Sequence, residues 1–162
     1  QLLFAKLADH FSLSLRAMEQ CFTRILVAVV TSEQKESPSL YLLTILTILR
    51  SNALAVYRRY ALEGGNVKEV MKYLSSNDGG TQLVDSDVGL VIEQQLVAAK
   101  CSFYLSEELQ NYKKVISDTS STANENKRKR AEYIVNSLKN IPYSNPPLEY
   151  AVSRLELAAQ FK

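Results

Sequence analysis

Apolar residues recur every three or four positions along most of this chain, and no segment sustains the apolar–polar alternation of a half-buried strand. Such spacing places the apolar side chains on one face of a helix, where they can form a core. The first segment shows the pattern with Leu3, Phe4, Leu7, Ala8 and Phe11. The sequence therefore predicts an all-α fold, an irregular bundle of about seven helices.

Polar turns divide the chain into these helices. The first two are separated by Ser12-Leu13-Ser14, and the Ser14 side chain can accept hydrogen bonds from the first amides of the second helix. These two helices have the form of a helix-turn-helix or of a small helical lid. The predicted helices span about 2–11, 14–32, 37–62, 66–76, 85–116, 127–141 and 145–159. Loops are predicted at 77–81 and at 117–126, the second of them mobile because it has no apolar pattern.

Three boundaries depend on residues with strong backbone preferences. Ser37-Pro38 predicts a helix start with proline at the first position. Gly64-Gly65 predicts the end of that helix, after a bend near Ser51-Asn52. Asn66, with Glu69 three positions later, predicts a capped start for the next helix.

Two segments carry predictions about burial. Residues 25–30 (ILVAVV) are apolar around the whole helix, so other elements are expected to enclose them. Tyr57, Arg58, Arg59 and Tyr60 interleave aromatic rings with cations, which allows two interpretations. One is a surface on which nucleic-acid bases stack. The other, which we favour, is a helix whose tyrosines pack in the core while its arginines stay in water.

Length and composition are typical of one globular domain. The chain has 162 residues, 46% of them apolar and 22% charged, and its net charge of +2 is too small to define a nucleic-acid surface by itself. We predict a single helical domain over 1–162, with a lid-like part at 1–75 and a helical extension at 85–162. No apolar run approaches the roughly 20 residues that span a bilayer, so we expect a cytoplasmic chain. Because the chain begins inside a helical pattern, we expect a fragment of a longer protein.

Residues that could carry catalysis or hold a metal are scarce. His10 is the only histidine, and we interpret it as a polar residue at a helix end. Cys21 and Cys101 have no metal-ligand spacing and are expected to be reduced core residues, with a disulfide or a reactive thiol as the alternative. The five glycines form neither a P-loop nor a dinucleotide fingerprint. We therefore expect no enzyme within this chain alone, no metal site and no cofactor of its own.

Residues 7–23 have the spacing of a DNA-binding helix-turn-helix. The inward-facing residues would be Leu7, Phe11, Leu13, Met18 and Cys21. The residues facing a major groove would be Ser14, Arg16, Ala17, Gln20 and Arg24. Because that face has only two cations, weak or no nucleic-acid binding is expected. A helix-turn-helix DNA-binding protein is the alternative function.

One basic run lies in the second half of the chain, at Lys127, Arg128, Lys129 and Arg130. It predicts an anion or nucleic-acid patch, a contact with acidic lipid or a targeting signal. An ordinary solvated helix start is the alternative, and we favour it. Cations in the first turn of a helix oppose the helix dipole, which favours either fraying or an anionic partner.

Residues 6–19 (KLADHFSLSLRAME) resemble the segment that follows the ATPase core in KAP-family P-loop NTPases. The next helix of that family is similar to three further stretches of this chain, namely residues 40–43 (LYLL), 49–52 (LRSN) and 56–58 (VYR). Met18 stands where the family commonly has isoleucine, a change that conserves volume. The resemblance covers about residues 1–75 and leaves 85–162 unplaced.

The resemblance implies that this chain is the non-catalytic C-terminal helical region of a KAP-type ATPase, with a lid, regulatory or interaction role. The family's P-loop and magnesium-binding residues would lie upstream of Gln1, so ATP and Mg²⁺ are expected only in the full-length protein. The partners would be the upstream ATPase domain of the same protein and another protein. The family is associated with membranes and, in bacteria, with phage exclusion. By analogy with related lid domains, Arg16 would contact the nucleotide.

Overall fold

The computed structural model describes residues 2–32, 38–101, 107–118, 125–139 and 148–160. These residues contain ten helices and no strand, so the all-α prediction is confirmed, with three more helices than expected. The helices are α1 (Leu2–His10), α2 (Leu15–Val30), α3 (Leu40–Asn52), α4 (Leu54–Leu62), α5 (Val67–Ser76), α6 (Gly80–Asp85), α7 (Asp87–Lys100), α8 (Glu107–Ser117), α9 (Glu125–Lys139) and α10 (Leu148–Ala158).

Helix α3 is the centre of the bundle. Every residue from Leu42 to Leu49 is buried, as expected for a helix that is apolar all round. Helices α1, α2, α4, α7 and α10 pack around it. The buried hydroxyl of Thr44 donates to the carbonyl of Leu40 at 2.8 Å. The apolar core joins both parts of the chain, because Leu46 of α3 shares it with Ile92 of α7 and Leu155 of α10.

The additional helices arise at three breaks. Ala53 separates α3 from α4 with φ −140° and ψ 53°, one residue beyond the predicted bend. Helix α6 lies partly in the predicted loop 77–81, where Gly79 takes φ 68° and the chain turns into a new helix. The predicted helix 85–116 is wrong as one element, because α7 ends at Lys100 and Cys101 takes φ −89° and ψ 63°.

Two of the predicted caps are confirmed and one helix start is wrong. The Asn66 side chain accepts from the amide of Glu69 at 2.9 Å. The Ser14 side chain accepts from the amide of Ala17 at 3.3 Å. Helix α3 begins at Leu40, so Pro38 precedes the helix and does not occupy its first position. Ser37 lies outside the described residues, and so do the centre of the predicted loop 117–126 and the predicted boundaries at 140–147.

The tyrosines of α4 pack inside, as predicted. Tyr57 and Tyr60 are buried, whereas Arg58 and Arg59 are exposed. The Tyr60 hydroxyl donates to the carbonyl of Leu96 at 2.7 Å and joins α4 to α7. The interpretation of this segment as a stacking surface is therefore wrong, because neither ring is accessible.

Candidate functional site

Helix α2 is fixed by its inner face. Cys21, Ile25 and Ala28 are buried where α2 packs against α3 and α10. The turn before the helix is held by Ser12, which takes φ 49°, and by the amide of Leu13, which donates to the carbonyl of Ala8 at 2.8 Å. A short polar residue such as serine tolerates this left-handed conformation better than a branched one. The turn sets the direction in which the outer face of α2 points.

The outer face of α2 is apolar and exposed. It consists of Leu15, Phe22, Leu26, Val29 and Val30, with exposed fractions of 70%, 55%, 63%, 37% and 74%. Helical spacing places these side chains in one stripe along the helix. We call this stripe the α2 outer face. By the same spacing exposed Glu19 lies in this stripe, one turn after Leu15. Exposed stripes that are mainly apolar mark interaction surfaces.

The predicted enclosure of residues 25–30 is therefore wrong. Only Ile25 and Ala28 are buried, while Leu26 and Val30 remain exposed. Neighbouring helices cover one side of α2 and leave the other side open. Phe22 is partly supported by Phe4 of α1, whose ring stacks on it with centroids 4.2 Å apart.

Arg16 lies in the first turn of α2, beside the α2 outer face. Its side chain is exposed and forms no hydrogen bond or ion pair with the described residues. Gln20, one turn later, is also exposed. Arg24 is half-buried and donates through Nη1 to the Ser51 hydroxyl at 3.0 Å. Of the two cations predicted to face a groove, only Arg16 is therefore available to an external partner.

The other residues of the predicted helix-turn-helix lie as expected for its core. Leu7 and Cys21 are buried, and Phe11, Leu13 and Met18 are half-buried. On the predicted groove side, the Ser14 side chain caps α2 and Ala17 is half-buried. The spacing predicted this packing correctly, but the packing alone does not distinguish a DNA reader from a lid.

The four cations of the basic run point in different directions around α9. Arg128 pairs with Glu132 at 3.7 Å, and Lys129 pairs with Glu125 at 2.7 Å, both on the same helix. Arg130 turns inward and pairs with Glu93 of α7. The fourth cation, Lys127, is exposed. The basic run therefore does not form one continuous patch.

Glu93, Tyr112 and Arg130 form a cluster that sequence reasoning missed. The Tyr112 hydroxyl donates to Glu93 Oε1 at 2.5 Å, and Arg130 Nε donates to Glu93 Oε2. Burial, with the neighbouring Glu93 carboxylate, raises the pKa of Tyr112 above its usual value. One signal for the cluster was present: Glu93 is the only charged residue between Asp87 and Lys100. A lone carboxylate in such an apolar run requires a partner.

The histidine and the cysteines take structural positions. His10 ends α1, and its Nε2 lies 3.4 Å from Asn77 Nδ2. Burial lowers the pKa of His10. Cys21 and Cys101 are not joined by a disulfide, and Cys21 is buried with its Sγ 3.8 Å from the Ser51 hydroxyl. Within the described ranges, no three His, Cys, Asp or Glu side chains are grouped so that they could hold a metal.

Comparisons with protein-family models, with curated proteins and with solved structures found no match to this chain. In the part of the chain that the structure describes, no helix combines the length and apolar character needed to cross a membrane. The features that bear on function are thus the α2 outer face with Arg16 and the charged residues between α7, α8 and α9.

Proposed function

We propose that this chain is the non-catalytic helical region that follows the ATPase core of a KAP-type P-loop ATPase. In this proposal the α2 outer face is the surface that packs against the core. The observation that carries the proposal is the exposed apolar stripe of Leu15, Phe22, Leu26, Val29 and Val30.

The stripe supplies a driving force for docking. Full burial of a large apolar side chain is worth roughly 1.5–3 kcal/mol relative to exposure. Phe22 and Leu26, near the middle of the stripe, are more than half exposed. Covering them and their neighbours with another domain removes apolar area from water without the further cost of ordering the helix, because α2 is already formed.

Arg16 supplies a charge at the edge of the same surface. Its guanidinium has no described partner, so docking of the α2 outer face would bring an uncommitted cation to the interface. A charge-assisted bond from Arg16 to the terminal phosphate of a nucleotide held by the core would be worth roughly 1.5–3 kcal/mol. ATP and Mg²⁺ would belong to the core, and hydrolysis would thereby be coupled to the position of the lid. Phage exclusion remains a prediction for the whole protein.

A DNA-binding helix-turn-helix is the second candidate, favoured by the exposure of Arg16 and Gln20 one turn apart on α2. A helix that reads a groove needs several polar contacts to phosphates and base edges. Here the exposed face is dominated by apolar side chains, and Arg24 is bonded to Ser51. Arg128 and Lys129 of the basic run are paired within α9, which makes them less available to phosphates. The balance of these observations favours a protein partner over DNA.

Replacing Leu26 with glutamine tests the docking surface. Leu26→Gln is expected to weaken association between this chain and the separately expressed upstream core by about tenfold, since the loss of roughly 1.4 kcal/mol changes affinity by that factor. Leu62→Gln is the matched control, because Leu62 is exposed to a similar degree (57% against 63%) but lies on α4. Equal affinity of the two variants, measured by calorimetric titration, would refute the assignment of the α2 outer face. Sequence-selective DNA binding lost in Arg16→Ala and Gln20→Ala would favour the second candidate.

A further inference from the structure

A cavity of about 980 Å³ opens between α5, α7, α8 and α9, and the α2 outer face contributes nothing to its lining. The cations at its wall are Lys68, Lys100, Lys127 and Arg130, and the apolar residues include Met71 and Val115. Binding sites for small molecules commonly have this size. Seven of the fourteen lining residues are charged, and three of these, Glu93, Glu107 and Glu108, are acidic. We refer to it as the α7–α9 cleft.

Of the three acidic residues that line the α7–α9 cleft, two are engaged by the protein. Glu93 accepts hydrogen bonds from Tyr112 and Arg130. Glu108 Oε1 accepts from the amide of Val67, in the first turn of α5, at 2.9 Å. The charge of Glu93 is therefore paired with Arg130, and one oxygen of Glu108 is used by a backbone amide. Glu107 is exposed and forms no hydrogen bond or ion pair with the described residues.

Two of the cations, in contrast, are uncommitted. Lys68 and Lys127 form no hydrogen bond or ion pair with the described residues, and both are exposed. Lys100 donates through Nζ to the carbonyl of Gly65, and its Nζ lies 4.8 Å from the centre of the Tyr60 ring. Burial lowers the pKa of Lys100, so an anion nearby would stabilise its charged form. Two exposed lysines without a described partner thus stand against one such carboxylate, Glu107, so the uncommitted charge at the α7–α9 cleft is positive by one.

Arg130 adds an unsatisfied donor. Its Nη2 is buried and has no hydrogen-bond partner among the described residues, although Nε of the same guanidinium is bonded to Glu93. Buried donors without an acceptor are rare because each one loses its hydration without compensation. A phosphate or carboxylate oxygen that reached this edge of the guanidinium would supply the missing acceptor.

We propose that the α7–α9 cleft binds a small organic phosphate. Its phosphoryl oxygens would meet Lys127, Arg130 and Lys68, and its organic part would lie along Met71 and Val115. A phosphate monoester fits better than a carboxylate because it carries nearly two negative charges at neutral pH and has three acceptor oxygens. The inference does not depend on the proposed function, since the two use different helices.

The test is a calorimetric titration of the 162-residue chain at low salt with phenyl phosphate. Benzoate and inorganic phosphate are the comparison ligands, because benzoate keeps the ring without the dianion and inorganic phosphate keeps the charge without the ring. Phenyl phosphate is expected to saturate one site and to bind at least about fivefold more tightly than either. Absence of saturable binding up to about 10 mM phenyl phosphate would overturn the proposal.

Two pairs of matched variants locate the site. Lys127→Gln and Lys68→Gln are each expected to weaken phenyl phosphate binding by about tenfold, the size of one lost charge-assisted bond. Lys129→Gln on α9 and Lys72→Gln on α5 remove the same charge from exposed positions that do not line the cleft, and are expected to change affinity less than twofold. All four residues are exposed, so folding is expected to be unaffected. If Lys127→Gln and Lys129→Gln on α9 weakened binding equally, and Lys68→Gln and Lys72→Gln on α5 did so too, the effect would be general charge attraction. That result would overturn the assigned site.

Discussion

Replacing Glu156 with alanine should destabilise the fold, because this carboxylate joins three helices. Arg50 of α3 donates to it through Nε at 2.9 Å and through Nη2 at 3.0 Å. The hydroxyl of Tyr57 on α4 donates to Glu156 Oε1 at 3.0 Å. Glu156 itself belongs to α10. Its loss therefore removes a polar connection between the central helix and two of its neighbours.

The magnitude follows from exposure. The side chains of Arg50 and Glu156 are 23% and 43% exposed, so solvent reduces the ion pair to about 1 kcal/mol. Tyr57 is buried, and its hydroxyl would lose an acceptor at a cost of about 1 kcal/mol. The free energy of unfolding of Glu156→Ala should thus fall by about 2 kcal/mol. For a chain of this size the melting temperature should fall by roughly 4–8 °C.

The effect should depend on pH. The hydrogen bonds from Arg50 hold the pKa of Glu156 below its usual value of 4.5, and Tyr57 assists. A carboxylate with a lowered folded-state pKa contributes stability that is present above the unfolded pKa and lost as pH falls through the folded pKa. The difference between wild type and Glu156→Ala should therefore be largest at neutral pH and shrink below about pH 4.

Urea unfolding followed by circular dichroism, at pH 7 and at pH 3, measures this difference. Glu132→Ala is the control, because its pair with Arg128 lies within one helix at 3.7 Å and should contribute less than about 0.5 kcal/mol. If Glu156→Ala were as stable as Glu132→Ala at pH 7, or if its deficit persisted unchanged at pH 3, the reasoning would be refuted.

Two further predictions concern helix boundaries. Asn66→Ala should lower the free energy of unfolding by about 1 kcal/mol, because the amide of Glu69 loses its cap, and thermal unfolding would detect a loss of this size. Gly80→Ala should cost about 2 kcal/mol or more, because a Cβ there would overlap the carbonyl oxygen of Leu74. Gly79→Ala should cost only about 1–2 kcal/mol, since space is open around it and the penalty comes from φ 68° alone. Urea unfolding of both variants checks the order; a more stable Gly80→Ala would contradict it.

Local signals predicted local structure well in this chain. The span of α5 follows from Asn66 and from the serines at its end, and the burial of Tyr57 and Tyr60 follows from helical spacing. A bend was predicted near Ser51-Asn52, but not a helix break at Ala53, because alanine is the strongest helix former.

The candidate sites were less predictable because they depend on distant residues. The ion pair of Arg130 with Glu93 joins positions 37 residues apart. The spacing of residues within α9 does not indicate this pair. The α2 outer face was missed for a related reason. An apolar stretch such as 25–30 indicates that a helix can be enclosed, but only the tertiary arrangement determines which side is covered.

The rate of ATP hydrolysis by the full-length protein carrying Arg16→Ala tests the central claim most directly. We predict a fall of roughly tenfold to a hundredfold, because one charge-assisted bond to the terminal phosphate is lost and about 1.4 kcal/mol corresponds to a factor of ten. Gln20→Ala, exposed one turn away on the same helix, should leave the rate nearly unchanged. The melting temperature of the isolated chain should be the same in both variants, since neither side chain supports the core. An unchanged rate in Arg16→Ala would contradict the account.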